Sequence, residues 1–375
     1  MKNIKYILLA AVLLSVSCEQ EPPTVDFGKL PVHYGYMQFS TGVSNTRAHL
    51  AESMRGRDFG VIGFKFSPTS NWDSSKSTNA PGDWFFNQEV TCGSDGVCTY
   101  TPIKQWENNN YAFFAYHPYN GAGITLSKSD KVNTPTLEYT YGWLNKTGNI
   151  SLYDSNSPSF DLMTAEAIDV NGSGSGRVDL EFKHRLFAFE VLANNYNENS
   201  EGKTDARQEI TNLTLTLENL AHSEMVIPLS MMEGEADPVY DHKTPGTRTF
   251  KINDDTIIIP AFNETIEHSF NGETEVCGAG VATSISKYGS TNGGYLFLIP
   301  QEGSKDGIKG TLNWTELKYF QGDENEVQNE FTSTIDFEPG VLYQIHINFV
   351  GDGITIALIE AGTWDSSPEV EHKFE

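Results

Sequence analysis

The chain reads as a series of short apolar runs separated by polar punctuation. "FGVIGFKF" (Phe59–Phe66), "YAFFAYHPY" (Tyr111–Tyr119), "VDLEFKHRLFAFEVLA" (Val178–Ala193), "ITNLTLTLENL" (Ile210–Leu220), "DTIIIPAF" (Asp255–Phe262) and "YLFLIPQ" (Tyr295–Gln301) are rich in β-branched and aromatic residues. Clusters of Gly, Pro, Asn, Asp and Ser bound them, which predicts short strands. Leu213, Leu215 and Leu217 alternate with polar residues, the pattern of a sheet with one wet face. No long segment holds a helical period with caps. Strands of this kind predict antiparallel sandwiches rather than βαβ units. No repeat of fixed period is visible, which argues against solenoids and propellers.

The clearest interruption is "DVNGSGSGRV" (Asp169–Val178), polar and glycine-rich in the manner of a linker. The chain is too long for one small core. We therefore expect two domains, 48–175 and 176–375, divided at this segment.

The N-terminus carries different information. Lys2 and Lys5 precede "YILLAAVLLSVS" (Tyr6–Ser17), an apolar stretch too short to span a bilayer stably. It reads as a signal peptide, residues 1–17. The small residues before Cys18 resemble a bacterial lipobox, although Ser15 stands where leucine is usual. Acylation of Cys18 would anchor the chain to the outer membrane, each buried CH₂ adding roughly 0.8 kcal/mol. "EQEPPTVD" after it reads as a solvated tether.

The formal net charge of the whole chain is -25. Such a surface repels phosphate backbones and anionic headgroups, which argues against nucleic acid as a partner and against membrane binding by charge. Cys92 and Cys98 flank "GSDG" in "TCGSDGVCTY", so a hairpin there would close a disulfide, as an exported chain allows. Cys277 has no partner evident in the sequence. Scattered cysteines without C-x-x-C spacing predict no metal site.

A search for catalytic chemistry finds no assembled set. "GSGSG" (172–176) has Gly174 where a nucleophile elbow needs serine. There is no H-E-x-x-H, Walker loop or Rossmann fingerprint, and no cofactor is expected. The acidic run "GDENEVQNE" (Gly322–Glu330) lacks the spacing of a calcium loop and reads as a solvated loop. His184 and His346 sit in strand-like segments, where structural hydrogen bonding is the expectation. Trp72, Trp84, Trp106 and Trp143 lie in polar surroundings and could stack sugars, which makes a surface glycan a candidate partner.

Several segments in order resemble the fimbrillin family, the fimbrial subunits of Bacteroidetes. They are "SFDLMTAEA" (Ser159–Ala167), "VDLEFKHRLFAFEVLA", "EPGVLYQIHINFVGDG" (Glu338–Gly353) and "ITIALIEAGTW" (Ile354–Trp364), with the lipobox and "NTRA" at the N-terminal end. The resemblance implies an all-β chain of two transthyretin-like antiparallel β-sandwich domains in tandem. It also implies a structural and adhesive pilus subunit, not an enzyme, exported as a lipoprotein to the cell surface. In polymerising members an arginine-specific protease removes the leader with its first strand, and a strand of another subunit fills the groove.

On that basis residues 18–47 form a lipidated leader, cut between Arg47 and Ala48. "VHYGYMQF" (Val32–Phe39) would be its strand, with Val32, Tyr34 and Tyr36 on one face and Phe39 at the end. "STGVSN" would be the exposed loop that a protease can bind. Arg55 and Arg57 are competing sites. The donor strand would lie in 354–364, with Ile354, Ile356 and Leu358 on one face. Residues 365–375 continue past the tryptophan near which stalk subunits of the family tend to end. A surface lipoprotein that binds glycan without polymerising is the alternative reading.

Overall fold

The structure is a computed structural model of the chain. It describes residues 36–43, 54–76, 84–128, 135–140, 150–151, 160–173, 176–200, 206–220, 222, 224–229, 239–240, 246–252, 256–270, 273–278, 281–286, 295–301, 307–317, 324–363 and 370–372. Their regular secondary structure is almost entirely β. The exception is α1 (Trp72–Ser75), one turn whose N-cap Asn71 accepts a hydrogen bond from the Ser74 N–H.

The first ten strands are β1 (Gln38–Val43), β2 (Asp58–Phe66), β3 (Phe85–Cys92), β4 (Cys98–Thr99), β5 (Asn110–His117), β6 (Ile124–Lys128), β7 (Pro135–Thr140), β8 (Ile150–Ser151), β9 (Met163–Asn171) and β10 (Arg177–His184). Seven of them form one sheet in the order β1-β10-β9-β5-β2-β3-β4. Its middle strands β2 and β5 are buried on both faces, which accounts for their nearly unbroken apolar sequence. Phe59 and Val61 join Tyr111, Phe113 and Ala115 in one core. Ile62, Phe64 and Phe66 join Ala112, Phe114 and Tyr116 in another, which extends into the second half of the chain.

The remaining strands are β11 (Phe187–Asn195), β12 (Gln208–Leu220), β13 (Glu224–Pro228), β14 (Val239–Tyr240), β15 (Gly246–Lys251), β16 (Ile257–Ile259), β17 (Thr265–Phe270), β18 (Glu273–Gly278), β19 (Thr283–Ser284), β20 (Leu296–Leu298), β21 (Ile308–Leu317), β22 (Glu324–Ser333), β23 (Val341–Val350), β24 (Gly353–Thr363) and β25 (Val370–His372). One sheet runs β19-β11-β23-β24-β25, with β20 also on β11, and a second runs β22-β21-β12-β15-β8, with β16 on β12. A smaller sheet runs β14-β13-β7-β6, and β17 pairs with β18.

The long strand β12 shows how residue spacing sets packing. Its buried residues are Ile210, Leu213, Leu215, Leu217 and Leu220, so the period of two slips by one residue at each end. The pairing register shifts at the same two places, between Thr211 and Thr214 and between Leu217 and Leu220. Asn212 and Asn219 supply the left-handed backbone there, φ 56° and 64°. Asparagine tolerates that conformation, and each bulge returns the next leucine to the core.

Strand pairing runs across the 175/176 line. β10 lies beyond the glycine-rich segment, yet it pairs with β1 and β9, so the chain leaves the first sheet near Arg185. Strands also cross the line, since β7 pairs with β13 and β8 with β15. Close backbone approach and linker softness look alike in sequence. A Cβ on Gly172 would clash with the Glu107 carbonyl oxygen, and the Gly172 N–H bonds Asn109 O at 2.9 Å. That glycine serves backbone contact.

Candidate functional site: the first strand and its slot

The sequence reading puts its chemistry at the start of the chain, and the structure gives that region a definite geometry. β1 runs parallel to β10, from Gln38 opposite Arg177 to Val43 opposite Phe182, whereas the other pairings of its sheet are antiparallel. Among the described residues its far side carries no ladder, and its backbone is held near Met37. Met37 N–H donates to Lys104 O at 2.9 Å, and Tyr36 forms an isolated bridge with Gln105.

The strand plugs an aromatic core with two side chains. Met37 and Phe39 are buried. The Phe39 ring meets those of Tyr100 at 5.4 Å, Phe113 at 5.8 Å, Phe85 at 6.1 Å and Phe59 at 6.4 Å, mostly edge to face. Beneath them Tyr100 Oη donates to Met37 O (3.0 Å) and accepts from Lys104 N–H (3.2 Å). Burial pushes the Tyr100 phenol up to about 12, so it stays a neutral donor at ordinary pH. Outside the plug, Ser40 bonds Asp179, which also pairs with Arg177 Nε at 2.9 Å.

This corrects the expected first strand in two respects. The described strand begins at Gln38 and continues through "STGV", which was expected to be loop. Its inward face carries Met37 and Phe39, while Tyr36 is 37% exposed. Aromatic alternation in "HYGYMQF" fits either phase, and the partner strand β10 selects the one with methionine and phenylalanine inside. Tyr100 and Lys104, which clamp β1 from across the slot, had no distinguishing signal in the sequence.

Cys18, Arg47, Ala48, Trp143, Gly174 and the tail residues 365–369 and 373–375 lie outside the described residues. Cys92 and Cys98 are cross-strand partners in the β3–β4 hairpin and form a disulfide. The turn between them is closed by Gly93 N–H to Val97 O at 2.8 Å and by Val97 N–H to Asp95 Oδ1 at 3.0 Å. Cys277 is in β18 opposite Ile266.

The tryptophans divide. Trp72 is fully buried against Phe64, Phe66 and Phe114, so it offers no face to a sugar. Trp84 and Trp106 are half-buried and pack on Tyr111, and Lys65 Nζ and Lys104 Nζ each stand 4.5 Å from the centre of the Trp84 ring. The polar neighbours of Trp72 in sequence are its helix cap and turn, which is why it resembled a surface residue.

His184, His346 and His117 each make a ring hydrogen bond. His184 Nδ1 pairs with Asp161 Oδ2 at 2.7 Å in a buried position, and His346 Nδ1 meets Asn194 Nδ2 at 3.0 Å. His117 Nδ1 lies 2.5 Å from Asp58 O, and burial lowers its affinity for a proton. Among the described residues no group of three or more His, Cys, Asp and Glu could hold a metal ion. The acidic run expected to be loop is, from Glu324 on, edge strand β22. Glu326, Gln328 and Glu330 face water on it, and such charges protect an open edge from unwanted pairing.

Ile354, Ile356 and Leu358 share one face of β24. Leu358 is completely buried and the two isoleucines are partly buried against the same core. β24 pairs with β23 along its length, from Gly353 opposite Val350 to Thr363 opposite Val341, and β25 covers part of its other edge.

Among the described residues the scaffold is all-β, with an edge strand seated as a plug in an aromatic slot. A family model for fimbrillin-like proteins matches residues 46–364, and the chain belongs to that family. Among curated proteins none matches. Solved structures similar to it include a protein of Bacteroides ovatus named for cell adhesion, 14% identical over 89% of this chain and 98% of that one, TM-score 0.49. Another so named, from Bacteroides uniformis, is 14% identical over 88% and 98%, TM-score 0.47. The fimbrial anchor protein Mfa2 of Porphyromonas gingivalis is 10% identical over 86% and 95%, TM-score 0.30.

Proposed function

We propose that this fimbrillin-like protein is a pilus subunit whose first strand is a removable plug. The chain is exported, acylated at Cys18 and held at the outer membrane, and an arginine-specific protease cuts between Arg47 and Ala48. The observation that carries this reading is the placement of β1. The strand ends at Val43, so a cut after Arg47 separates all of it, with Met37 and Phe39, from the rest of the sheet.

Losing it would leave the β10 edge without hydrogen-bond partners and an aromatic slot open to water. Both are costly, and a strand from another subunit relieves both. The donor we favour is the C-terminal segment bearing Ile354, Ile356 and Leu358, within a scaffold of two transthyretin-like sandwiches. Donation requires β24 to leave β23. A second reading follows from that pairing: a copy in which β24 stays home accepts a strand without giving one and ends the fibre.

The test is the N-terminus of protein recovered from the cell surface, together with its assembly after treatment with an arginine-specific protease. Ala48 at the N-terminus and ladders that survive mild heating in detergent are expected. Arg47→Ala should give a folded chain that keeps its leader and forms no ladder. Equal ladders from the uncut variant would overturn the proposal.

A further inference from the structure

Beyond the end of β11 the chain displays aromatic rings on a stiff base. Tyr196 is 53% exposed, Phe262 38% and Val281 57%, in a chain whose other phenylalanines are mostly core. The two rings lie nearly parallel, 24° between planes, with centroids 6.4 Å apart.

The loops that carry them are locked by asparagines. Asn195 Oδ1 accepts from Asn197 N–H, and Asn197 clamps Gly351 through both its amide oxygen (2.6 Å) and its amide nitrogen (3.0 Å). Asn263 bonds the backbone of Asn199 in the same two-point fashion, at 2.8 and 3.0 Å. Phe262 N–H donates to Asn197 O and Tyr196 N–H to Phe349 O. Exposed rings so fixed lose little freedom when something binds them.

A pocket opens beside the rings, lined by Ala193, Tyr196, Pro260, Phe262, Val281 and Thr283 among others. Its volume is about 10 Å³, room for one water-sized group. Thr283 is 1% exposed, and its hydroxyl has no hydrogen-bond partner among the described residues. Leaving such a hydroxyl unpaired costs about 1–3 kcal/mol, so the pocket favours a ligand that brings a small polar group.

We propose that the pocket and the adjoining rings form a subsite for a neutral pyranose sugar. One face of the sugar stacks on Tyr196 and Phe262, and one hydroxyl group enters the pocket to hydrogen-bond Thr283. A peptide strand is disfavoured, because β11 already pairs with β19 on one side and β23 on the other at this level. An anionic sugar is disfavoured by Glu198, two residues from Tyr196, and by the net charge of -25, while Glu264 on the other side is already paired with Arg207. This site does not depend on the plug or on polymerisation.

The experiment uses the full, uncut chain and saturation-transfer NMR with methyl glucoside, methyl galactoside, methyl mannoside, N-acetylglucosamine and, as the anionic control, methyl glucuronide. At least one neutral sugar should bind with a Kd on the order of 1 mM. Tyr196→Ala and Phe262→Ala, both exposed positions, should weaken it about tenfold or more. Thr283→Val, nearly isosteric, should weaken it about fivefold, the loss of roughly one hydrogen bond. Silence from every neutral sugar at tens of millimolar would overturn the proposal, as would unchanged binding in the three variants or a preference for the glucuronide.

Discussion

Two strands near the ends of the chain, β1 and β24, occupy their sheets in opposite ways. Among the described residues β1 is an edge strand with one complete ladder, to β10, and only scattered bonds, chiefly at Met37, on its other side. β24 is an interior strand with a ladder to β23 along its whole length and β25 on its far edge. Both plug a core with alternating side chains, Met37 and Phe39 in one case and Ile354, Ile356 and Leu358 in the other. What differs is the number of backbone bonds that must break for the strand to leave. A strand with one ladder and a severed chain is easily exchanged, whereas a strand embedded between two neighbours leaves only when a better slot is offered.

The largest effect expected from this contrast concerns growth. Removing Ile354–Glu375, or placing aspartate at the partly buried Ile354 and Ile356 if the truncation fails to fold, should permit cutting but stop donation. Mixed with wild-type protein, such copies should cap ladders and shorten them in proportion to their share. Ladders of unchanged length would show that the donor lies elsewhere.

A second expectation separates the strands by stability. Phe39→Ala should destabilise the uncut chain by about 3–5 kcal/mol, the usual cost of emptying an aromatic site, and should have no effect once the leader has been removed. Leu358→Ala should cost about 2–5 kcal/mol both before and after the cut. Denaturant unfolding of cut and uncut protein checks both. Loss of stability from Phe39→Ala in the cut monomer would mean that β1 stays bound after processing.

The disulfide sharpens the comparison at the slot's far wall, where Cys98 leads into Tyr100. Replacing Cys92 and Cys98 by serine should cost about 2 kcal/mol, as expected for so short a loop. It should lower the midpoint for the first sheet and leave the pairing of β23 and β24 unaltered by amide exchange.

The smallest effect is in pH. His117, in β5 of the first sheet, has its pKa lowered from 6.5, chiefly by burial. The unfolded chain therefore binds the proton more readily, and stability is lost as pH falls from about 6.5 toward the lowered folded value. Glu264, in the second half, is lowered from 4.5 by its hydrogen bonds and pairing with Arg207 (Nε to Oε2 at 2.7 Å). Its contribution is present above 4.5 and fades only below it. Acid titration followed by Trp fluorescence should thus disturb the first sheet before the second half, and His117→Gln should remove the earlier phase.

Much of this architecture was legible in the residues. Strand character in Phe59–Phe66, Tyr111–Tyr119 and Ile210–Leu220 follows from β-branched and aromatic content, and the wet face of β12 from its leucine spacing, because these are local properties of the chain. The hairpin that carries Cys92 and Cys98 was readable for the same reason. What the sequence could not supply was partnership. Which phase of "HYGYMQF" turns inward depends on β10, some 140 residues later, and on rings from three other strands. Whether a tryptophan or a glycine-rich stretch lies on the surface depends on what folds over it, as Trp72 and Gly172 show. Local alternation is set by the geometry of one strand, while burial is a property of two surfaces meeting, and only the tertiary structure brings the second surface.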